Sequence, residues 1–537
     1  MRVGGGGRCR GVVGVLLVWL AMLGACGGGS SGLDSGVVAP TPSVNVQIQL
    51  DEGPDGRIVQ RDASGYGDLQ VAGTYADGSP EAIEARVLGW ESGTEVLPWV
   101  TIDEDPVAGT FAGALRGIPA GGWYRIEVRA IGSLAATAGE ARFGVGVLVA
   151  CAGQSQIQLW FSEFAPSGPD DFDFEPPVPS DFVRMYRHDG FNDEERKPDD
   201  WREVTGVGAT VFANRLHDAL GVPIGLLPYA AGGSALWQSN SLQPAIVGFG
   251  PWGWWLADDS GRHPGFGRYP ALVDGITAAG GVEAVLWVQG HTDALVGEST
   301  ERYADGLRQL FGQIRRDSGR SELPIFLSLV TRMSENPAGE SRFPDGANAQ
   351  AIRDAETLVA DEDADTYVGA TTIDLPLSFD GIHHSKWGQQ WQAERLSDAV
   401  ADVLLGDGDR QLYRGPSLAR FEVIDSQTID VHLAHRGGTD FEPETGIEGF
   451  DVVNGGPILE ASRLDADTVR LSLEAGSADG VTEVLYLNGG NPGGLDVRRY
   501  AREYVHDNSP GALPLEGGRL YRELDQPVAS RLYIPTR

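Results

Sequence analysis

Beyond residue 43 the chain alternates at every second position. Val46, Ile48 and Leu50 fall on one side, Gln47 and Gln49 on the other. Farther on, Tyr124, Ile126, Val128 and Ala130 interleave with Arg125, Glu127 and Arg129. A period of two puts one side of an extended segment in a core and the other in water. With Gly-, Pro- and Asp-rich turns between such runs, residues 44–143 are expected to form a small, immunoglobulin-like β-sandwich.

Between about 144 and 406 the period changes. Short apolar runs at Val145–Cys151, Pro223–Leu227, Ala284–Val288 and Pro324–Val330 read as buried strands. A helical face of Tyr303, Leu307, Leu310, Phe311 and Ile314 lies between the last two. A further helix is predicted from an N-cap at Ser385 to a stop at Gly406, burying Trp387, Trp391, Leu396, Val400 and Val403. Apolar strands alternating with amphipathic helices predict an α/β domain whose parallel sheet is covered on both faces. Alternation by twos then returns: Ile429, Val431 and Leu433 interleave with Asp430 and His432, and Val469, Leu471 and Leu473 with Arg470 and Ser472. Residues 415–537 are expected to be a second β-rich module.

The N-terminus stands outside this pattern. Arg2, Arg8 and Arg10 precede an apolar stretch, Val12–Leu23, that is short for a span and ends in Leu23-Gly24-Ala25-Cys26. This resembles a bacterial lipobox. It implies a signal peptide over 1–25, a diacylglycerol-bearing Cys26, and export to the cell envelope or surface, periplasm-facing or extracellular; an ordinary secretory signal is the alternative. Residues 26–43, rich in Gly and Ser, read as a flexible tether.

The length of 537 residues calls for several domains. The formal charge of −35, which becomes −38 if the three arginines are removed, provides no basic stripe for a nucleic acid and disfavours adsorption to anionic lipid. Of Cys9, Cys26 and Cys151, the first leaves with the signal and the second carries lipid. No intramolecular disulfide is then expected, and Cys151 reads as a core residue. No His/Cys cluster has metal-ligand spacing, and no cofactor is implied.

An acyl-transfer site needs a nucleophile, a base, a group that orients the base, and donors for an oxyanion. In open α/β sheets such groups gather beyond the carboxyl ends of the strands. Ser155 follows the first apolar strand, Gly232-Gly233 the second and Gln289–Asp293 the third; Asp380 and His383 precede the last helix.

These blocks resemble those of SGNH-type hydrolases related to sialate O-acetylesterase and carbohydrate esterase family 6. Gly153-Gln154-Ser155-Gln156 is similar to that group's Gly-Gln-Ser-Asn, and Gln289-Gly290-His291-Thr292-Asp293 to its Gln-Gly-Glu-Ser-Asp/Asn. Gly221–Leu227 with Gly232-Gly233-Ser234 is similar to the second block, and Asp380-Gly381-Ile382-His383 to the Asp-x-x-His block. Segments at Gly446–Phe450, Val505–Asn508 and Leu513–Leu515 look like the flanking modules of multidomain members. The resemblance implies a three-layer, flavodoxin-like domain over 144–406 acting on an acetylated glycan or sugar.

In that reading Ser155 is the nucleophile, His383 its base and Asp380 the acid that fixes the imidazole tautomer. His384 is expected to point elsewhere. The Ser155 amide, a Gly232 or Gly233 amide and the Gln289 side-chain amide are the expected oxyanion donors. Gln154, Gln156, His291, Asp293 and Trp237 are candidates for substrate contact, with structural bracing as the competing role for His291 and Asp293. Gln156 and His291 depart from the resembled pattern, which has Asn and Glu there. The indoles of Pro251–Trp255 suit a sugar ring or the packing of a loop. The Asp-, Glu- and Pro-rich stretch Phe161–Asp200 reads as a long surface loop or lid. The competing functions are a non-catalytic carbohydrate-binding lipoprotein and an esterase for non-sugar esters.

Overall fold

The structure is a computed structural model that describes residues 46–187, 200–237, 253–255, 268–332, 347–406, 413–487, 503–509 and 512–522. The signal, Cys26 and the tether lie outside the described residues.

The strand Phe143–Gly153 organises the molecule. All 11 of its residues are buried, the reason it reads as an uninterrupted apolar run. Along the central sheet it lies between Ile224–Ala230 and Ala284–Val288, both parallel to it. The sheet continues outward through Val183–Arg187 and Asp200–Glu203 on one side and through Ile325–Ser328 and Thr366–Ala370 on the other. Only the Asp200–Glu203 edge is antiparallel. Because strand side chains alternate, Leu148, Ala150 and Ala152 enter one core with Leu307, Leu310, Phe311 and Ile352, while Val147, Val149 and Cys151 enter another with Phe212, Leu216, Leu396 and Val400. Helices therefore cover both faces.

Three of these elements differ from the sequence pattern. Val183–Arg187 is a strand within the stretch expected to be loop, and Asp200–Glu203 is a strand that begins at its last residue. The first of them is masked by polar residues: buried Arg184 donates to Asp181 and the Val183 carbonyl and lies against the Trp123 ring. Thr366–Ala370 carries too little apolar bulk to stand out. The last helix runs Lys386–Leu405, with Ser385 accepting from the Gly388 amide and Gly406 left-handed at its end. Trp387, Trp391 and Val403 are only half-buried there. The two indoles stack at 5.7 Å and Phe174 meets Trp387 edge-on at 5.0 Å, so the segment after Ser155 covers Trp387 in place of the core.

Residues 46–142 pack a three-stranded sheet, Gln47–Asp51, Tyr66–Ala76 and Thr110–Pro119, against strands Ile83–Gly89 and Gly121–Ala130 through a shared apolar core. Arg57–Gln60 pairs with the first residues of Phe143–Gly153, so one strand belongs to the N-terminal layer at its start and to the central sheet at its end. Position 144 falls inside that strand. Gln60 and Arg61 add a fixed contact by clasping Glu283 at 2.8–3.0 Å.

The C-terminal region packs a four-stranded antiparallel sheet, Ser417–Asp425, Thr428–Ala434, Thr468–Leu473 and Ile458–Asp465, against Phe450–Val453, Glu483–Tyr486 and Gly518–Tyr521. Asp430, although in register with outward-facing positions, is buried because Arg470 opposite it donates two hydrogen bonds of 2.7 Å. This region also reaches the central domain. Arg332, fully buried, donates to the Tyr504 hydroxyl (2.8 Å) and the Leu375 carbonyl (3.2 Å). Asp374 accepts two bonds of 2.7 Å from Arg395 and faces His506 at 3.3 Å. Both contacts bear on the segment that leads into Asp380 and His383.

Candidate active site

Gly153 pairs in register with Ala230 on one side and Val288 on the other, so three strands end at the same level. Their next residues are Gln154-Ser155, Ala231-Gly232-Gly233 and Gln289-Gly290, three of the four blocks. The close approach demands glycine. A Cβ on Gly153, whose φ is +144°, would sit 2.1 Å from the Val288 carbonyl oxygen. Ser155 then opens a short helix, Ser155–Gln158, so its amide is a first-turn donor with no carbonyl one turn back.

The fourth block completes a chain of hydrogen bonds. Ser155 Oγ lies 2.9 Å from His383 Nε2, and His383 Nδ1 lies 2.7 Å from Asp380 Oδ2. The other carboxylate oxygen of Asp380 accepts the amides of Ile382 (2.9 Å) and His383 (3.0 Å). Burial by itself would raise the Asp380 carboxyl. The hydrogen bond from the His383 ring and those from the two amides outweigh it and hold the group well below the usual carboxylate range. An ionised Asp380 only accepts, so the proton of a neutral His383 sits on Nδ1 and Nε2 is free to take the serine proton.

Gln156 fixes this loop. Its Nε2 donates to the Ile382 carbonyl at 2.7 Å and its Oε1 accepts the His384 amide at 3.1 Å, one contact on each side of His383. These two backbone groups orient the amide and direct Nε2 toward His291 Nε2 at 3.4 Å. His291 must therefore accept there and carry its proton on Nδ1, which is buried with no hydrogen-bond partner among the described residues. Burial, with smaller contributions from His384, His383 and Arg353, pushes His291 down to about 3. His384, also buried, is likewise pushed to about 3, burial first and then His383.

A second network lies beneath Ser155. Gln154 Oε1 accepts Gln289 Nε2 (3.2 Å) and the amides of Gly290 (3.1 Å) and Thr292 (3.3 Å). Gln289 Nε2 also donates to Asp293 Oδ2 (2.7 Å) and the Ser234 carbonyl (3.1 Å), and its Oε1 accepts the Tyr303 hydroxyl at 2.6 Å. Asp293 Oδ2 takes the Leu236 amide at 2.9 Å. Three expectations change accordingly. The Gln289 amide is spent on buried protein acceptors and is not an oxyanion donor. Gln154, Gln156, His291 and Asp293 are at most 3% exposed and brace the loops from below, out of a substrate's reach. Trp237 packs in the core under the helix Thr300–Asp317, with its indole N–H on the Arg302 carbonyl and the Arg302 guanidinium over its ring.

Ser155, Asp380, His383, Gly232 and Gly233 remain at the surface of the site. A Cβ on Gly232 would stand 3.6 Å from that of Ser155. The Gly232 amide donates to Gln158 Oε1 at 2.7 Å, a contact that the sequence pattern did not single out although Gln158 lies one helical turn from Ser155. Cys151 is buried and its thiol is driven up by burial, so it is no competing nucleophile. Among the described residues, no group of three or more His, Cys, Asp or Glu is placed to hold a metal ion. Most of the loop around Pro251–Trp255 lies outside the described residues. The backbone of Gly253–Trp255 pairs in parallel with Ala235–Trp237.

A parallel sheet with a serine, a histidine and an aspartate joined at its carboxyl edge is the arrangement of an α/β serine hydrolase. Residues 187–402 match the family described as carbohydrate esterase, sialic acid-specific acetylesterase, so this stretch is similar to that family. The matched stretch holds the blocks of Gly232, Gln289 and His383 but begins after Ser155; the geometry joins the serine to them. A carbohydrate acetylesterase from Xanthomonas citri shares the fold with a TM-score of 0.52 at 19% identity, over 87% of this chain and 97% of that one. A protein from Arabidopsis thaliana (TM-score 0.32, 20% identity, 48% of this chain and 98% of that one) has too little overlap in fold to bear on the argument. The same holds for a carbohydrate esterase family 2 enzyme with a carbohydrate-binding domain from Corynascus thermopiles (0.26, 12%, 67% and 99%). None of the curated proteins matches the chain.

Proposed function

We propose that the protein is an exported serine esterase that hydrolyses O-acetyl groups on carbohydrates through an acyl-Ser155 intermediate. The observation that carries this reading is the chain Ser155–His383–Asp380, with distances of 2.9 and 2.7 Å. Ser155 Oγ attacks the acetyl carbonyl carbon while its proton passes to His383 Nε2. The resulting imidazolium faces ionised Asp380. The ester C–O bond then breaks and His383 returns the proton to the departing sugar oxygen. Water repeats the sequence on acetyl-Ser155: His383 takes a water proton, the new C–O bond forms, and the proton goes back to Ser155 Oγ as acetate leaves. Charge on the carbonyl oxygen is met by the amides of Ser155 and of Gly232 or Gly233; losing one such donor costs about 10²–10³ in rate.

The sheet with helices on both faces supports the three-layer SGNH reading, and the paired sheets on either side support flanking β-sandwich modules. The Leu23–Cys26 motif supports a lipid anchor in the cell envelope, tested by fatty-acid labelling of the wild type and of Cys26→Ser. The esterase reading is tested by acetate release from a panel of acetylated glycans and from a small activated acetate ester. Wild type should release acetate, and Ser155→Ala and His383→Ala should not. A folded wild type inactive on every substrate would leave a carbohydrate-binding protein, and full activity in Ser155→Ala would displace the site.

A further inference from the structure

Ser155 and Gln158 lie three residues apart in the same short helix and so share a face. Gln158 is half-buried, and its side chain makes one hydrogen bond among the described residues: Oε1 takes the N–H of Gly232 at 2.7 Å. A backbone amide has one hydrogen, and at this distance it is committed. A Cβ on Gly232 would stand 2.8 Å from that same oxygen and 3.6 Å from the Ser155 Cβ, so the acceptor, the donor and the attacking serine are immediate neighbours. An acetyl carbonyl attacked by Ser155 places its oxygen within reach of donors at this strand edge, and the donors must stand 2.7–3.1 Å from the oxyanion. The Gln158 carbonyl oxygen, also an amide oxygen carrying partial negative charge, occupies the acceptor position of one of them.

We infer that Gln158 is a gate on the oxyanion site. In the free protein its side chain caps the Gly232 N–H. Productive binding of the ester requires the acyl oxygen to displace Gln158 Oε1 from that amide. The inference rests on the esterase reading above, because it takes Ser155 as the nucleophile. It adds a residue that tunes affinity for the acyl group and the transition state while leaving the Ser155–His383–Asp380 chain untouched.

Gln158→Ala removes the competitor. The gate predicts a fall in KM and a rise in kcat/KM for a small acetate ester, each by about 2–10-fold, the range of one net hydrogen bond. A boronic acid that forms a tetrahedral adduct on Ser155 should bind Gln158→Ala more tightly by the same factor, a readout that needs no turnover. Gln158→Glu supplies a stronger, charged acceptor and should lower kcat/KM by more than about 10-fold near neutral pH, with recovery as the carboxylate is protonated on acidification. Wild-type-like kinetics and boronate affinity in Gln158→Ala would overturn the gate, as would a loss of kcat/KM there. A wild type that neither turns over esters nor forms the Ser155 adduct would defeat the underlying reading, a result distinct from an active wild type that is insensitive to position 158.

Discussion

The loops that carry His383 and His291 place the same side chain in opposite settings. His383 is 24% exposed, and both of its nitrogens are engaged, by Ser155 on one side and Asp380 on the other. His291 is 3% exposed, faces a glutamine amide through one nitrogen and buries the other without a partner among the described residues. The first arrangement can pass a proton between a hydroxyl and a ring beside a fixed negative charge. The second holds a neutral ring in place as packing. The contrast shows that neighbours and solvent, more than residue type, set what an imidazole can do.

The contrast breaks most sharply at Asp380. Asp380→Asn keeps the shape but removes the charge and permits the wrong tautomer. Turnover is expected to fall by about 10³–10⁴ with little change in melting temperature, because the side chain is 46% exposed. Steady-state kinetics and calorimetry on one preparation would check both halves. Asp293→Ala, on the His291 loop, should do the reverse. It strands the buried Leu236 amide and the Gln289 side chain and should cost about 2–4 kcal/mol in stability, read by urea denaturation.

Acid tests the buried histidines. Folded His291 and His384 titrate at about 3, whereas an unfolded imidazole titrates near 6.5. Between these values the unfolded chain binds more protons, so stability rises with pH through the window and is lost as pH falls from about 6.5 toward 3. Each histidine should account for about 1–2 kcal/mol between pH 6.5 and 5. His291→Gln should flatten the slope by one histidine's share; an unchanged slope in denaturant midpoints would contradict the neutral, buried ring.

The smallest expected effect links the two loops. Gln156→Asn is one methylene too short to hold both the Ile382 carbonyl and the His384 amide. A drop of about 10-fold in kcat, with KM nearly unchanged, is expected for a lost brace beside His383. A wild-type kcat would show that the His383 loop holds itself.

Much of this was legible in the sequence. The strands around Ser155, the amphipathic face of Thr300–Asp317 and both caps of Lys386–Leu405 follow from period, burial and capping chemistry. Ser155, Asp380 and His383 stood out because each falls in a short block beside a strand or helix end. Val183–Arg187 did not, since its arginines read as solvent-facing until Asp181 and Trp123 are placed around them. Likewise Trp387 and Trp391 read as core because periodicity records a helix face and not what covers it.

The sequence by itself determined much of the order of the elements, the net negative charge and the chemistry on offer at four separated blocks, because local periodicity and side-chain type are properties of neighbouring residues. Only the tertiary structure decided which polar side chains reach solvent. Gln154, Gln156, Gln289 and Asp293 became braces, and Gln158 met the Gly232 amide, because partners far apart in the chain consume or expose a hydrogen-bonding group. Linear spacing does not encode those partners.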